Sequence, residues 1–199
     1  MLEPKIHDIE IKQGAQYQDA FHWYGGGKVC ASIENVIVGC PTQITITGHT
    51  LPSVSKTPIR IRNVRGARDL NTGEQDCDMV EATWIDANTF SVDIDTGNQT
   101  YKAGSGSIEW FKPKVVTGYT ARMQIREKLT DTVALVSLVS PADIVINVAD
   151  AKITFTIDTT ATTALDFIQG VYDLELVDPS GAATRLLQGK VTLNKEVTR

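Results

Sequence analysis

The chain has 199 residues, 42% hydrophobic and 22% charged, so it can bury a core and is not disordered by composition. Its net charge of −5 argues against a general affinity for nucleic acid or anionic membrane. No apolar run approaches the roughly 18 residues needed to span a bilayer. The start, Met1-Leu2-Glu3-Pro4-Lys5, lacks the basic and apolar regions of a signal peptide, so folding in a cytoplasm is expected.

Period-2 alternation dominates the chain and predicts strands. Ile9 and Ile11 open the first, and Tyr17 to Tyr24 forms its neighbour. Tyr17, Phe21 and Trp23 share parity there and are expected to supply core, while Tyr24 points the other way as a candidate contact residue. Gly25-Gly26-Gly27-Lys28 lacks the second Gly and the Ser/Thr of a phosphate-binding loop, so it reads as a flexible hairpin or hinge. Ile44/Ile46, Ile59/Ile61 and Phe90/Val92/Ile94 then alternate with polar residues. Turn signals at Gly48-His49, Pro52-Ser53, Asn71-Thr72-Gly73, Asp86-Ala87-Asn88 and Gly104-Ser105-Gly106 separate these runs.

Beyond Pro113 the pattern becomes cleaner. Tyr119, Ala121, Met123 and Ile125 share one face of a strand whose other face is Thr120, Arg122, Gln124 and Arg126. Ile153, Phe155 and Ile157 alternate in the same way. Thr160 to Phe167 lacks alternation and reads as one or two helical turns, with Gly170 as a stop signal. Tyr172, Leu174 and Leu176 form the next strand. Tyr172 either ties its hydroxyl to the backbone, as at the corner of immunoglobulin-like sandwiches, or follows a short helix packed at a sheet edge. Asp178-Pro179-Ser180-Gly181 reverses the chain into a return strand from Thr184 to Leu193, within which Gly189 marks an expected bulge.

These runs predict an all-β chain. Its fold class is an immunoglobulin-like β-sandwich interrupted by an inserted small β-barrel or sandwich domain. The loops at the triglycine and at Pro113 are natural insertion sites. The outer domain is therefore expected at residues 1–31 plus 111–199, and the insert at Ser32–Trp110.

The run Thr117-Gly118-Tyr119-Thr120-Ala121-Arg122-Met123-Gln124-Ile125-Arg126, then Tyr172-Asp173-Leu174-Glu175-Leu176 and Thr184 to Leu193, resembles tailed-phage structural proteins related to the N-terminal domain of upper-baseplate proteins. The resemblance covers about Val116–Arg199 and implies a β-sandwich that joins larger virion parts without catalysis. Ile44 to Leu51, Ile59 to Val64 and Trp84 to Val92, with Thr100-Tyr101 and Gly104-Ser105-Gly106, resemble a small β domain frequent in phage tail-fibre proteins and inserted in ubiquitin-activating enzymes. That module has no catalytic residues to transfer.

The residues themselves offer little chemistry. His7, His22 and His49 are the three histidines, and no Gly-x-Ser-x-Gly elbow accompanies them, so surface or turn roles are expected. Cys30, Cys40 and Cys77 contain no C-x-x-C pair and are expected as small buried side chains; Cys40, His49 and Cys77 match no zinc spacing. Asp76/Asp78 and Asp93/Asp95 stand at i and i+2, so on a strand each pair either clamps calcium or, more simply, makes a polar sheet face. No cofactor and no metal are expected.

The one basic cluster is Arg60, Arg62, Arg65 and Arg68. No aromatic residue lies within it to stack on bases, so it reads either as a solvated strand face or as a contact for an acidic neighbouring subunit. With Tyr24 it makes the candidate interface. The expected function is that of a non-enzymatic structural protein of a tailed bacteriophage particle, at the tail, baseplate or neck. Its expected partners are other virion subunits, within a symmetric homo-oligomer, with no membrane and no nucleic acid. A capsid decoration protein is the first alternative. A host-glycan-binding module is the second, for which Trp84, Trp110 and Tyr101 are the only candidate aromatics and read more naturally as core.

Overall fold

The computed structural model describes residues 4–54, 56–73, 75 and 78–196. In chain order its strands are β1 (Lys5–Ile6), β2 (Ile9–Lys12), β3 (Tyr17–His22), β4 (Lys28–Ser32), β5 (Asn35–Ile37), β6 (Thr42–Thr45), β7 (Thr57–Arg62), β8 (Val80–Trp84), β9 (Thr89–Val92) and β10 (Ser107–Phe111). They continue with β11 (Thr120–Arg126), β12 (Val136–Val139), β13 (Ile144–Asn147), β14 (Lys152–Ile157), β15 (Gln169–Val177) and β16 (Ala183–Asn194). One α-helix, α1 (Thr159–Ala164), and a 3-10 turn at Arg68–Leu70 complete the described secondary structure.

The chain divides into two compact units, Met1–His22 with Val116–Arg199, and Trp23–Val115. The second unit is wider than the Ser32–Trp110 segment expected from sequence. Strand β4 pairs with β10 from Ser32↔Ser107 to Lys28↔Phe111, which carries both strands into that unit.

The first unit is a sandwich. One sheet has the order β1-β16-β15-β11-β12, with β2 also on β16, and the other has the order β13-β14-β3. Strand for strand this is the immunoglobulin pattern: β3, β14 and β13 take the places of B, E and D, while β11, β12, β15 and β16 take those of C, C′, F and G. The first strands depart from it, because β1 and β2 run parallel to β16 rather than against β3. The second unit is inserted between the B-like and C-like strands.

Alternation explains what fills the sandwich. Ala121, Met123 and Ile125 of β11, Tyr172, Leu174 and Leu176 of β15, and Ile153, Phe155 and Ile157 of β14 are all buried. Tyr17 and Phe21 on β3 are only half-buried rather than core, with the Tyr17 ring 6.2 Å from that of Phe155. Helix α1 spans the connection from β14 to β15. It starts because the Asp158 carboxylate accepts the Ala161 N–H, and it is short because four of its six residues are threonine, a weak helix former.

Gly189 does not mark the bulge. The register shift falls between Leu174 and Glu175, where Leu187 and Arg185 are their partners and Leu186 is the extra residue, so Leu186 and Leu187 are buried in succession. Gly189 instead lies beneath the link from β1 to β2: an added Cβ would sit 2.1 Å from the His7 carbonyl oxygen. That link is tied down by the Tyr172 hydroxyl, which donates to His7 O at 2.7 Å, and by Asp8, which accepts the Lys190 N–H at 2.8 Å. The Tyr172 hydroxyl thus bonds backbone far away in the chain, not the corner just upstream, and burial pushes its pKa up.

The second unit is a small barrel. Its sheet runs β4-β10-β7-β8-β9-β6-β5, every ladder antiparallel. The two ends of that order, β4 and β5, are consecutive in the chain. Between them Ile33 N–H bonds Gly106 O on one side, and Glu34 N–H bonds Thr45 O on the other. One bent strand therefore serves both edges, and the sheet closes on itself. Ile44, Ile59, Ile61, Phe90, Val92, Ile108 and Trp110 fill its interior. The triglycine is not a free hairpin: Gly26 N–H bonds Lys112 O and Lys112 N–H bonds Gly27 O, extending the β4–β10 ladder.

Candidate interaction surfaces

The basic cluster separates into two parts. Arg60 and Arg62 lie on β7, Arg60 being buried and Arg62 half-buried, while Arg65 and Arg68 are exposed on the segment that follows. Arg60 faces Glu109 of β10 across the ladder, with Nη1 3.9 Å from its carboxylate. Lys28 of β4 approaches the same carboxylate at 2.8 Å. Arg60 is thus not on a solvated strand face; it belongs to a charge cluster that already has its acid within the unit. The Lys28 ammonium holds the Glu109 pKa below the usual carboxylate range, against partial burial, and Arg62 and Arg60 add to it.

A depressed folded pKa contributes stability above the unfolded carboxylate pKa, and this stability is lost as pH falls through the folded value. Glu109→Gln is therefore expected to flatten the loss of barrel stability below about pH 4, measured by pH-dependent hydrogen exchange of Trp23–Val115 amides. An unchanged acid profile would count against this cluster.

Tyr24 is half-buried and donates its hydroxyl to Lys56 O at 3.2 Å. Trp23 is half-buried beneath Lys114, whose ammonium lies 5.8 Å from its ring centroid. Trp110 is buried, and Trp84 and Tyr101 pack against the same core. Cys30 and Cys40 are exposed, contrary to expectation: Cys30 alternates on β4 with Val29 and Ala31, which pack inward, and Cys40 sits in the turn before Pro41. Cys77 and Asp76 lie outside the described residues. Strand β9 ends at Val92, so Asp93 and Asp95 do not share a strand face; Asp95 accepts the Gly97 N–H in a turn. Among the described residues no three His, Cys, Asp or Glu side chains converge as a metal site.

Two of the histidines lie against carboxylates. His7 Nε2 lies 2.7 Å from Asp19. His22 Nε2 lies 3.1 Å from Asp150, a buried carboxylate whose other oxygen accepts the Lys152 N–H. His49 is buried with its ring edge-on to Phe90 at 5.5 Å.

On the sandwich unit, a groove of about 730 Å³ crosses the outer face of the larger sheet, lined by Gln124, Arg126, Asp173, Arg185 and Lys190 among others. Its charges largely serve one another: Arg185 pairs with Asp173 at 3.1 Å, and nearby Arg122 with Glu175 at 2.8 Å. A second surface has a different character. Val133 (78% exposed), Leu135, Val139, Val145 (58%) and Val148 stand in water in the segment from the loop before β12 to the turn after β13. Strands β12 and β13 are both sheet edges. This stretch escapes alternation because Val133 to Val139 and Ile144 to Val148 are nearly continuous apolar runs; their β-branched content was the available signal.

No protein-family model matches the chain, and no curated protein matches it.

Proposed function

We propose that this chain is a non-enzymatic structural protein that works by protein–protein contact, and that its place is in a tailed-bacteriophage particle, joining components at the tail, baseplate or neck. The observation that carries the contact role is the set of exposed apolar side chains between Val133 and Val148, two of which, Val139 and Val145, lie on strands at sheet edges. A domain that leaves such a run in water gains free energy when a neighbour covers it, at about 25 cal/mol per Å² of apolar surface. The virion address rests on the resemblance of Thr117–Arg126, Tyr172–Leu176 and Thr184–Leu193 to phage baseplate-related proteins. Mechanistically the sandwich docks and the barrel offers a second surface, bearing the exposed Arg65 and Arg68, to another subunit.

Antibody labelling and cryo-electron microscopy of purified phage particles from the source of this sequence test the reading. Density for the chain at the tail, baseplate or neck is the expected result. Density on the outer shell would replace the tail address with capsid decoration, and absence from the particle would overturn the virion role.

A further inference from the structure

The apolar stretch contains two strand edges that the fold treats differently. Strand β12 is blunted: the outward Val139 N–H bonds the Asp143 carboxylate at 3.0 Å, and Val139 O accepts the Asp143 N–H at 2.9 Å. Strand β13 has no such guard. Thr156 N–H bonds Asp143 O, so in the register Val145↔Thr154 and Asn147↔Lys152 the odd-numbered residues of β13 face β14. The N–H and C=O groups of Ile144 and Ile146 therefore point away from β14 and, among the described residues, meet no other strand. Ile144 to Val148 contains no charge, proline or glycine, the devices that keep an edge from pairing. The opposite edge of the same sheet, β3, carries Asp19, engaged by His7.

We propose that β13 pairs antiparallel with β13 of a second copy across a two-fold axis centred on Val145, joining two three-stranded sheets into one. The strand is self-complementary in that register. Ile144 of one copy and Ile146 of the other form a hydrogen-bonded pair, and so does the reciprocal couple, so both outward residues are satisfied twice over. Val145, exposed on the solvent face, meets the second copy's Val145 in the close, non-hydrogen-bonded position. Asp143 faces the second copy's Asn147, so no like charges oppose one another. Moving the register by two residues leaves one fewer hydrogen-bonded couple within Ile144–Asn147. Two-fold pairing is isologous and closes, which gives a dimer rather than a filament. The second copy is thus the occupant to which the edge is matched. This deepens the contact role proposed above but stands without the virion address.

The test uses the intact purified chain. Sedimentation velocity over a concentration series is expected to show a dimer, and Val145→Lys, which sets two ammonium groups opposite each other, is expected to give a monomer with an unchanged far-ultraviolet circular dichroism spectrum. A second variant guards against a folding defect. With Cys30, Cys40 and Cys77 changed to serine, Val145→Cys places two thiols about 4.5 Å apart at Cα, within the disulfide range. Mild oxidation is expected to cross-link it nearly completely, while Asn147→Cys, which faces Asp143, stays uncross-linked. A wild-type chain that remains monomeric at about 100 µM, weaker than roughly 5.5 kcal/mol of association, would overturn the pairing, as would a dimer that persists in Val145→Lys. A monomer found in phage tails would end this proposal and leave the virion assignment standing. A dimer from a chain absent from particles would do the reverse.

Discussion

Phe90→Ala is expected to destabilise the barrel unit by about 3–5 kcal/mol, the usual cost of emptying a buried aromatic site. Phe90 is fully buried at the centre of β9, opposite Ile44 on β6 and Trp84 on β8. It touches the edge of His49, so its loss opens a cavity and strips one wall from a buried polar ring. Phe90 lies on an inner strand of the sheet, held by ladders on both sides, so the walls do not collapse inward and the cavity stays largely unfilled. Hydrogen exchange read by mass spectrometry checks this directly. Amides of Trp23–Val115 should lose protection by a factor corresponding to that energy, while amides of Val116–Asn194 keep theirs. Phe90→Leu, which retains most of the volume, should cost about 1–2 kcal/mol. A loss below about 1 kcal/mol for the alanine variant would mean that Phe90 does not organise this core.

Gly189→Val should detach the first strands from the sandwich at a cost of about 2–4 kcal/mol. The added Cβ would fall 2.1 Å from His7 O and 3.0 Å from the Asp8 carboxylate. Neither a rotamer change nor a surface adjustment relieves a clash with backbone, so the β1–β2 link must lift off β16. Lifting it also breaks the bond from the Tyr172 hydroxyl to His7 O and that from Lys190 N–H to Asp8. The readout is faster exchange confined to Lys5–Lys12 and their partners on β16, together with a fall in melting temperature of roughly 2–4 °C per kcal/mol. Gly189→Ala should move the same amides by less. If valine leaves β1 and β2 protected, the crossing does not depend on the missing side chain.

The two variants divide along what was legible in the sequence. Phe90 could be placed in a core from its parity with Val92 alone, because a strand facing a core must alternate. The same holds for Met123 and Ile125, for Ile153, Phe155 and Ile157, and for Leu174 and Leu176, all buried where alternation put them. Gly189 could only be guessed as a bulge, since the segment it accommodates lies at the other end of the chain. Arg60 shows the limit for sites. Its alternation with Ile59 and Ile61 set it on the outer face of β7, but its burial and its acid, Glu109, depend on which strand lies beside it. The edges of β12 and β13 were least legible. Continuous apolar runs have no period to separate an inward from an outward face, and whether a strand is an edge is a property of the sheet.

By itself, then, the sequence determined that this is an all-β chain, where most of its clean strands run, which side of each is apolar, and where the chain reverses at Asp178–Gly181. These follow from steric and solvation rules that act over a few residues. Only the tertiary structure decided that β1 and β2 lie parallel to β16, that one bent strand closes the barrel, that Asp143 guards β12, and that β13 is left open. Each depends on pairing between segments far apart in the chain, and local periodicity carries no information about which partner a strand will find.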